Sequence, residues 1–149
     1  MKIQIKYSDE YIKRNLPKIK QLANSDWVDL YTSTDAVIKF GEVSVIPLGV
    51  SMQLPKGYEA HLVARSSLFK NYGAILTNGV GIIDESYCGN NDEWKASLLG
   101  VDKYNEVIYV PAGSRLVQFR IIRKQPDIGF IEVDDLGNPD RDGFGSTGR

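Results

Sequence analysis

The sequence has very few of the residues that build disulfides and metal clusters. Among its 149 residues there is one cysteine, Cys88, and one histidine, His61. A single cysteine cannot form an internal disulfide, so we expect a protein of a reducing compartment. One histidine and no CxxC pair exclude a multi-histidine metal site and a zinc finger.

An excess of charge of either sign is also absent. The 18 basic and 19 acidic residues leave a net charge of −1, with a pI of about 5.8. This balance argues against a broad electrostatic surface for DNA or an anionic membrane. The first residues, MKIQIKYSDEY, contain no long apolar run and predict neither a signal peptide nor a membrane span. We therefore expect a cytoplasmic protein that binds neither nucleic acid nor membrane.

Short apolar segments between turn signals make up most of the chain. Met1, Ile3, Ile5 and Tyr7 alternate with polar residues, which is typical of a half-buried strand. Only one short helix is expected near the start, because Pro17 limits it. Further strands are predicted within 27–40, 43–55, 58–68, 73–89, 105–122 and 129–135.

This pattern predicts a single all-β domain, an antiparallel sandwich or barrel. The 73–89 segment contains two short strand pieces around Asn78-Gly79, a dipeptide that favours tight turns. The apolar pattern stops near residue 137. We therefore expect a β-barrel over residues 1–136 and a flexible C-terminal arm over 137–149.

Two polar groups interrupt the predicted strands. In VARSSLFK, a strand breaks at Arg65, whose guanidinium and the adjacent Ser66 and Ser67 hydroxyls suit phosphate oxygens, although such triplets are also common on surfaces. In GVGIIDESYCG, an apolar run ends at Asp84. A carboxylate shielded by the preceding isoleucines would have a raised pKa and could take a proton from water. The alternative is that Asp84 only opens a turn and Tyr87 only packs.

Two further features suit a ligand. Gln118 lies in an otherwise apolar strand, so it either braces a loop or contacts a ligand. The terminal GFGSTG is similar to loops whose backbone amides hold phosphates, and Phe144 within it could stack on a flat base. Taken alone, a polar terminus can equally be disordered.

Five segments in order resemble the five motifs of the trimeric dUTP pyrophosphatase (dUTPase) family: TSTDAVI, ARSSL, NGVGIIDESYCG, GSRLVQF and RDGFGSTG. The resemblance covers roughly residues 27–149, and ESYCGNNDEW is most similar to the Bacillus and phage branch. It implies a jelly-roll-like subunit of a homotrimer with shared active sites. It also implies Mg²⁺-dependent hydrolysis of dUTP to dUMP and pyrophosphate, which lowers dUTP and supplies dUMP for dTMP synthesis.

The resemblance also implies roles for particular residues. Asp84 matches the aspartate that orients and activates the attacking water, Tyr87 the tyrosine beneath the deoxyribose, and Asn78 the asparagine of the uracil hairpin. Asp35 matches the aspartate that meets Mg²⁺ through water. The residues that match phosphate-chain binders are Arg65, Ser66, Ser67 and Gln118. The residues that match the closing arm are Arg141, Phe144, Ser146 and Thr147.

Some alternatives remain open at this point. Trp94 is interpreted as a packing residue, with stacking on uracil as the alternative, and His61 as a structural histidine. A dCTP deaminase shares the fold, but the GIIDESYCG segment favours the hydrolase. A phage-type regulatory protein that binds host partners would rely on residues 88–106, which are interpreted as an insertion.

Overall fold

The structure, a computed structural model, describes residues 1–140 and is almost entirely β. The elements are α1 (Asp9–Lys13), α2 (Leu68–Tyr72), β1 (Gln4–Tyr7), β2 (Val28–Leu30), β3 (Ala36–Lys39), β4 (Val43–Pro47), β5 (Val50–Gln53), β6 (Tyr58–Ala64), β7 (Ala74–Leu76), β8 (Val80–Ile83), β9 (Lys95–Gly100), β10 (Val107–Val110) and β11 (Val117–Arg123). Within this part of the chain, neither helix is long and apolar enough to cross a membrane.

The strands form antiparallel sheets, which confirms the predicted class. A four-stranded sheet has the order β2-β11-β6-β8, and a three-stranded sheet has the order β4-β9-β7; β1 pairs with β5 and β3 with β10. The longest ladder joins β6 to β11, from Tyr58 opposite Arg123 to Ala64 opposite Val117. This is the jelly-roll-like arrangement that the resemblance implies.

The core lies between the sheets and follows the alternation along each strand. On β6, Ala60 and Leu62 point inward and are buried, while His61 points outward. Trp94, just before β9, is only 1 % exposed and meets the Phe119 ring edge-on at 5.1 Å between centroids. A ring so fully enclosed contributes to packing, and Trp94 also lines the cleft that contains Asp84.

The N-terminal helix ends where the sequence indicates. The Ser8 side chain caps α1 by accepting a hydrogen bond from the backbone N–H of Tyr11 at 3.3 Å. The helix ends at Lys13, before Pro17. The fully buried Tyr11 donates its hydroxyl to the Pro17 carbonyl, and burial raises the pKa of that hydroxyl. These contacts hold residues 8–17 together, and the Tyr11 side chain belongs to the hydrophobic core.

Two turns connect strands that belong to different sheets. The strands on either side of Asn78-Gly79 belong to different sheets, because β7 pairs with β9 and β8 pairs with β6. The strands on either side of the PAGS turn, residues 111–114, also belong to different sheets. β10 pairs with β3, whereas β11 pairs with β2 and β6. Both turns therefore connect the two layers of the sandwich and do not close a hairpin.

The strand β6 runs into a hydroxyl-rich turn, and the five-residue α2, which the sequence did not predict, follows it. Two predictions of local structure were wrong. The presumed insertion 88–106 contains β9, the central strand of the three-stranded sheet, with Ala96 and Leu98 fully buried. The strand expected at 129–135 is absent, and residues 124–140 are exposed and form no strand.

Candidate active site

A first cleft contains two of the four predicted phosphate-binding residues, Arg65 and Gln118, and we call it the arginine cleft. Arg65 directly follows β6, and Gln118 lies next to it on the outer face of β11, opposite Val63. The cleft has a volume of about 380 Å³. Its lining residues are Lys20, Leu22, Ser25, Trp27, Asp29, Tyr31, Arg65, Arg115 and Gln118.

Asp29 holds the arginine cleft together, and the sequence interpretation missed it. Its Oδ1 contacts Nε of Arg65 at 2.8 Å, and its Oδ2 accepts a hydrogen bond from Nη1 of Arg115 at 3.1 Å. The Asp29 side chain is 24 % exposed. Two guanidinium groups are therefore fixed by one partly shielded carboxylate, with further N–H groups left to bind an anion.

Ser66 and Ser67 lie in the turn between β6 and α2. The backbone N–H of Leu68 bonds to the Arg65 carbonyl at 3.0 Å, which closes this turn. Ser66 is exposed, and the Ser67 hydroxyl does not cap α2. Both serines are thus beside Arg65, and neither hydroxyl is used to cap α2.

A second cleft contains Asn78, Asp84 and Tyr87, and we call it the Asp84 cleft. It has a volume of about 350 Å³ and lies between β8 and the first half of β9, where Lys95 and Ser97 line it. Gly81 lies at its floor. A Cβ at this position would approach Leu62 Cβ to 3.2 Å and Asn78 Nδ2 to 3.6 Å. A larger residue would therefore push into the core or into the cleft.

The turn after β8 sets the positions of Asp84 and Tyr87. The Asp84 carbonyl accepts the backbone N–H of Tyr87 at 3.1 Å, and the Tyr87 hydroxyl donates to the Glu93 carbonyl at 3.3 Å. Asp84 is exposed in the single chain and Ile82 is 54 % exposed. The apolar shield expected from the sequence is therefore not formed by this chain's own isoleucines.

Asp35 lines neither cleft. Its Oδ1 accepts the backbone N–H of Ala112 at 2.8 Å and its Oδ2 accepts Nη1 of Arg14 at 3.1 Å. The Ala112 N–H, followed by the Arg14 side chain, lowers the pKa of this carboxyl. Asp35 thus joins the end of α1 to the loop before β11, and the structure does not bring it to Arg65.

The remaining predicted residues line neither cleft or lie outside the described part of the chain. His61 bonds to Glu59 on the same strand, with 2.7 Å between Nε2 and Oε1, as a structural histidine would. Cys88 is exposed. Arg141, Phe144, Ser146 and Thr147, the expected closing arm, lie outside the described residues.

The two clefts lie toward opposite ends of β6. Asp84 follows Ile83, which pairs with Ala60, whereas Arg65 follows Ala64 at the other end of the strand. Arg65 is five residue steps along the chain from Ala60, roughly 16 Å at the rise of an antiparallel strand. A group that orients an attacking water must lie within about 3 Å of it. One chain therefore holds Asp84 and its own Arg65 in two separate clefts.

The family model described as dUTPase matches residues 21–148. This chain belongs to the dUTPase family. The SPbeta prophage-derived deoxyuridine 5'-triphosphate nucleotidohydrolase YosS of Bacillus subtilis is 48% identical over 148 residues, 99% of each chain. The deoxyuridine 5'-triphosphate nucleotidohydrolase of Finegoldia magna is 37% identical, covering 89% of this chain and 91% of that protein. These relatives confirm the expected Bacillus and phage branch and favour the hydrolase over the deaminase alternative.

Solved dUTPases share the fold. The dUTPase of Streptococcus mutans superimposes with a TM-score of 0.74 at 26% identity, covering 84% of this chain and 98% of that one. The Staphylococcus bacteriophage 80alpha dUTPase with dUPNHPP gives a TM-score of 0.77 at 17% identity, covering 99% and 98%. That phage dUTPase is described as controlling the transfer of virulence genes. At this identity the likeness shows the fold alone.

Proposed function

We propose that this dUTPase-family protein hydrolyses dUTP to dUMP and pyrophosphate. The observation that carries the proposal is the division of its polar residues into two clefts of complementary chemistry. The Asp84 cleft offers an amide, a carboxylate and an aromatic ring for a nucleoside and a water. The arginine cleft offers two fixed guanidinium groups and an amide for phosphates. The relatives named above are deoxyuridine triphosphate nucleotidohydrolases.

In the proposed reaction, the Asp84 carboxylate orients a water in line with the α-phosphorus and accepts its proton. The new bond joins the water oxygen to the α-phosphorus, and the bond from that phosphorus to the bridging oxygen breaks, releasing pyrophosphate. Arg65, the neighbouring serines and Gln118 bind the phosphate chain and stabilise its charge. Positioning and charge neutralisation supply most of the rate in such transfers.

The residues of the Asp84 cleft would select the nucleotide. Asn78 would read the uracil edge, and the close packing around Gly81 leaves little room for a 5-methyl group. Tyr87 would lie beneath the deoxyribose and exclude a ribose 2′-hydroxyl. The bond from Tyr87 to the Glu93 carbonyl would hold the ring in that position.

The proposed assembly is a homotrimer whose active sites are shared between chains. Because the two clefts of one chain are roughly 16 Å apart along β6, the Asp84 cleft of one chain would meet the arginine cleft of another. Residues 128–136 support self-association, since Ile128, Phe130, Ile131 and Leu136 are exposed. Such an exposed apolar segment is stabilised by burial against a second copy.

Mg²⁺ fits this arrangement as a cation that arrives with the triphosphate. Residues 1–140 contain no group of three or more metal-binding side chains. Mg²⁺ commonly keeps several waters and binds through one or two carboxylates and substrate phosphates. Asp29 is the carboxylate that lines the arginine cleft, so we propose that it, more than Asp35, would receive the waters of the ion. The ion would supply charge neutralisation at the phosphates.

The C-terminal arm is proposed to close over the bound nucleotide. Arg141, Ser146 and Thr147 would hold phosphates, and Phe144 would cover the uracil. Residues 137–149 could span at most about 40 Å when extended, enough to reach a neighbouring chain. The regulatory alternative loses its sequence support, because residues 88–106 contribute a core strand.

The direct test is pyrophosphate release with Mg²⁺ from dUTP, dTTP, dCTP and UTP. We expect turnover of dUTP to exceed the other three by a large factor, and Asp84→Asn to bind dUTP but lose most turnover. Comparable turnover of all four nucleotides would refute the specificity, and an active Asp84→Asn would remove Asp84 as the base.

A further inference from the structure

Glu85, the residue after Asp84, is fastened on both carboxylate oxygens. Its Oε2 accepts the backbone N–H of Gly57, and its Oε1 accepts Nζ of Lys124 at 3.2 Å. The Gly57 carbonyl in turn accepts the backbone N–H of Lys124 at 3.0 Å. Three segments therefore meet at Glu85: the turn before β6, the turn after β8 and the end of β11.

This junction fixes the turn that carries the Asp84 cleft residues. Asp84 and Tyr87 are the first and last residues of one turn, since the Tyr87 N–H bonds to the Asp84 carbonyl. Glu85 is the second residue of that turn, and its side chain is only 24 % exposed. Because Asp84 itself is exposed, the direction of its carboxylate depends on the backbone beneath it.

The charges at the junction agree with the geometry. The Gly57 N–H, followed by Lys124, lowers the pKa of Glu85. Glu85 raises the pKa of Lys124, and Asp84 and Glu59 add smaller contributions in the same direction. The Lys124 ammonium therefore bonds to Glu85 at 3.2 Å.

We propose that Glu85 is a positioning residue that sets the direction of Asp84 and Tyr87 by anchoring their turn to Gly57 and Lys124. The inference rests on the proposed dUTP hydrolysis. Glutamine at this position is nearly isosteric but has one acceptor oxygen, so its NH₂ group would face one of the two donors. The turn would then shift while the core stays intact.

The test uses Glu85→Gln, Lys124→Met and the double variant in the full-length protein. Each single change should lower kcat about tenfold, since small misplacements of reacting groups are costly. KM should change less than about threefold, and the double variant should be no worse than the poorer single one. Glu42→Gln, which breaks an exposed pair with Lys39 at 3.8 Å, is the matched control and should keep wild-type kcat.

Hydrogen exchange gives a readout that does not depend on activity. In Glu85→Gln, amides of residues 84–89 should exchange faster, with the other peptides unchanged and the melting temperature at neutral pH lowered only slightly. Wild-type kcat and exchange in both single variants would overturn the proposal, as would a loss of protection throughout the chain. If the wild-type protein fails to hydrolyse dUTP, the proposed function fails, and exchange alone decides whether Glu85 holds the turn.

Discussion

Replacing Asp29 by asparagine tests how the arginine cleft works. The carboxylate contacts Arg65 at 2.8 Å and Arg115 at 3.1 Å, and asparagine can accept only through one oxygen. A hydrogen bond to a charged group is worth about 1.5–3 kcal/mol, and partial exposure reduces this toward about 1 kcal/mol. The loss of one such bond should weaken binding of a non-hydrolysable dUTP analogue about fivefold to tenfold, because about 1.4 kcal/mol is tenfold.

The effect on catalysis should be larger. Because Asp29 is proposed to face the waters of Mg²⁺, kcat/KM should fall about 100-fold, the scale of losing one preorganised electrostatic contact. Asp35→Asn is the matched variant: its Oδ1 can still accept from Ala112, and its side chain is 68 % exposed. We expect less than about a threefold loss there.

The assay is steady-state pyrophosphate release from dUTP over a series of Mg²⁺ concentrations, with titration calorimetry for the analogue. Asp29→Asn should also need more Mg²⁺ for half-maximal rate. If Asp29→Asn stayed within threefold of wild type, or if Asp35→Asn lost as much activity, the assignment of Asp29 would be refuted.

Three further outcomes follow from the structure. Phe119→Ala removes a buried ring that packs on Trp94, so urea unfolding at fixed protein concentration should show a loss of about 3–5 kcal/mol; a loss below 1 kcal/mol would contradict the packing. Glu85 has a folded-state pKa below its ordinary value of 4.5, so the stability it adds is present above pH 4.5 and is lost as pH falls through the lower value. The melting temperature should therefore fall less steeply below pH 4.5 in Glu85→Gln than in the wild type, and equal slopes would be the contrary result. Deleting residues 138–149 should remove most turnover and leave the oligomer intact by light scattering, and a full rate would dispose of the closing arm.

The sequence predicted strands well where one face of the strand is buried and the other is not, since apolar and polar residues then alternate along it. Alternation in β6 and β11 is a local property, so it could be interpreted without knowing the partner strand. Partner choice is a tertiary property. Asn78-Gly79 correctly indicates a turn, but nothing within it specifies that β7 and β8 enter different sheets.

Two further differences have physical causes. The alternation at 129–135 is typical of a strand, but a strand needs a partner, and the described part of this chain supplies none. The 88–106 segment contains polar residues before and after β9, which conceal a central strand of six residues.

The sequence predicted which types of residue form the candidate site, but only some of their positions in the chain. Arg65 and Gln118 meet in one cleft as expected, and Asn78, Asp84 and Tyr87 meet in another. The match to the first motif predicted a role for Asp35, yet the register of β2 on β11 places Asp29 directly beside Gln118. A lone carboxylate within WVDLYT was the available signal, but its meaning depends on that register.

The central claim is that each active site joins the Asp84 cleft of one chain to the arginine cleft of another. Mixed oligomers of Asp84→Asn and Arg65→Ala, each nearly inactive alone, test it most directly. After denaturation and refolding as a one-to-one mixture, random assembly of trimers should place an intact Asp84 beside an intact Arg65 in about a quarter of the sites, restoring about a quarter of wild-type activity. A mixture as inactive as its two components would contradict the account.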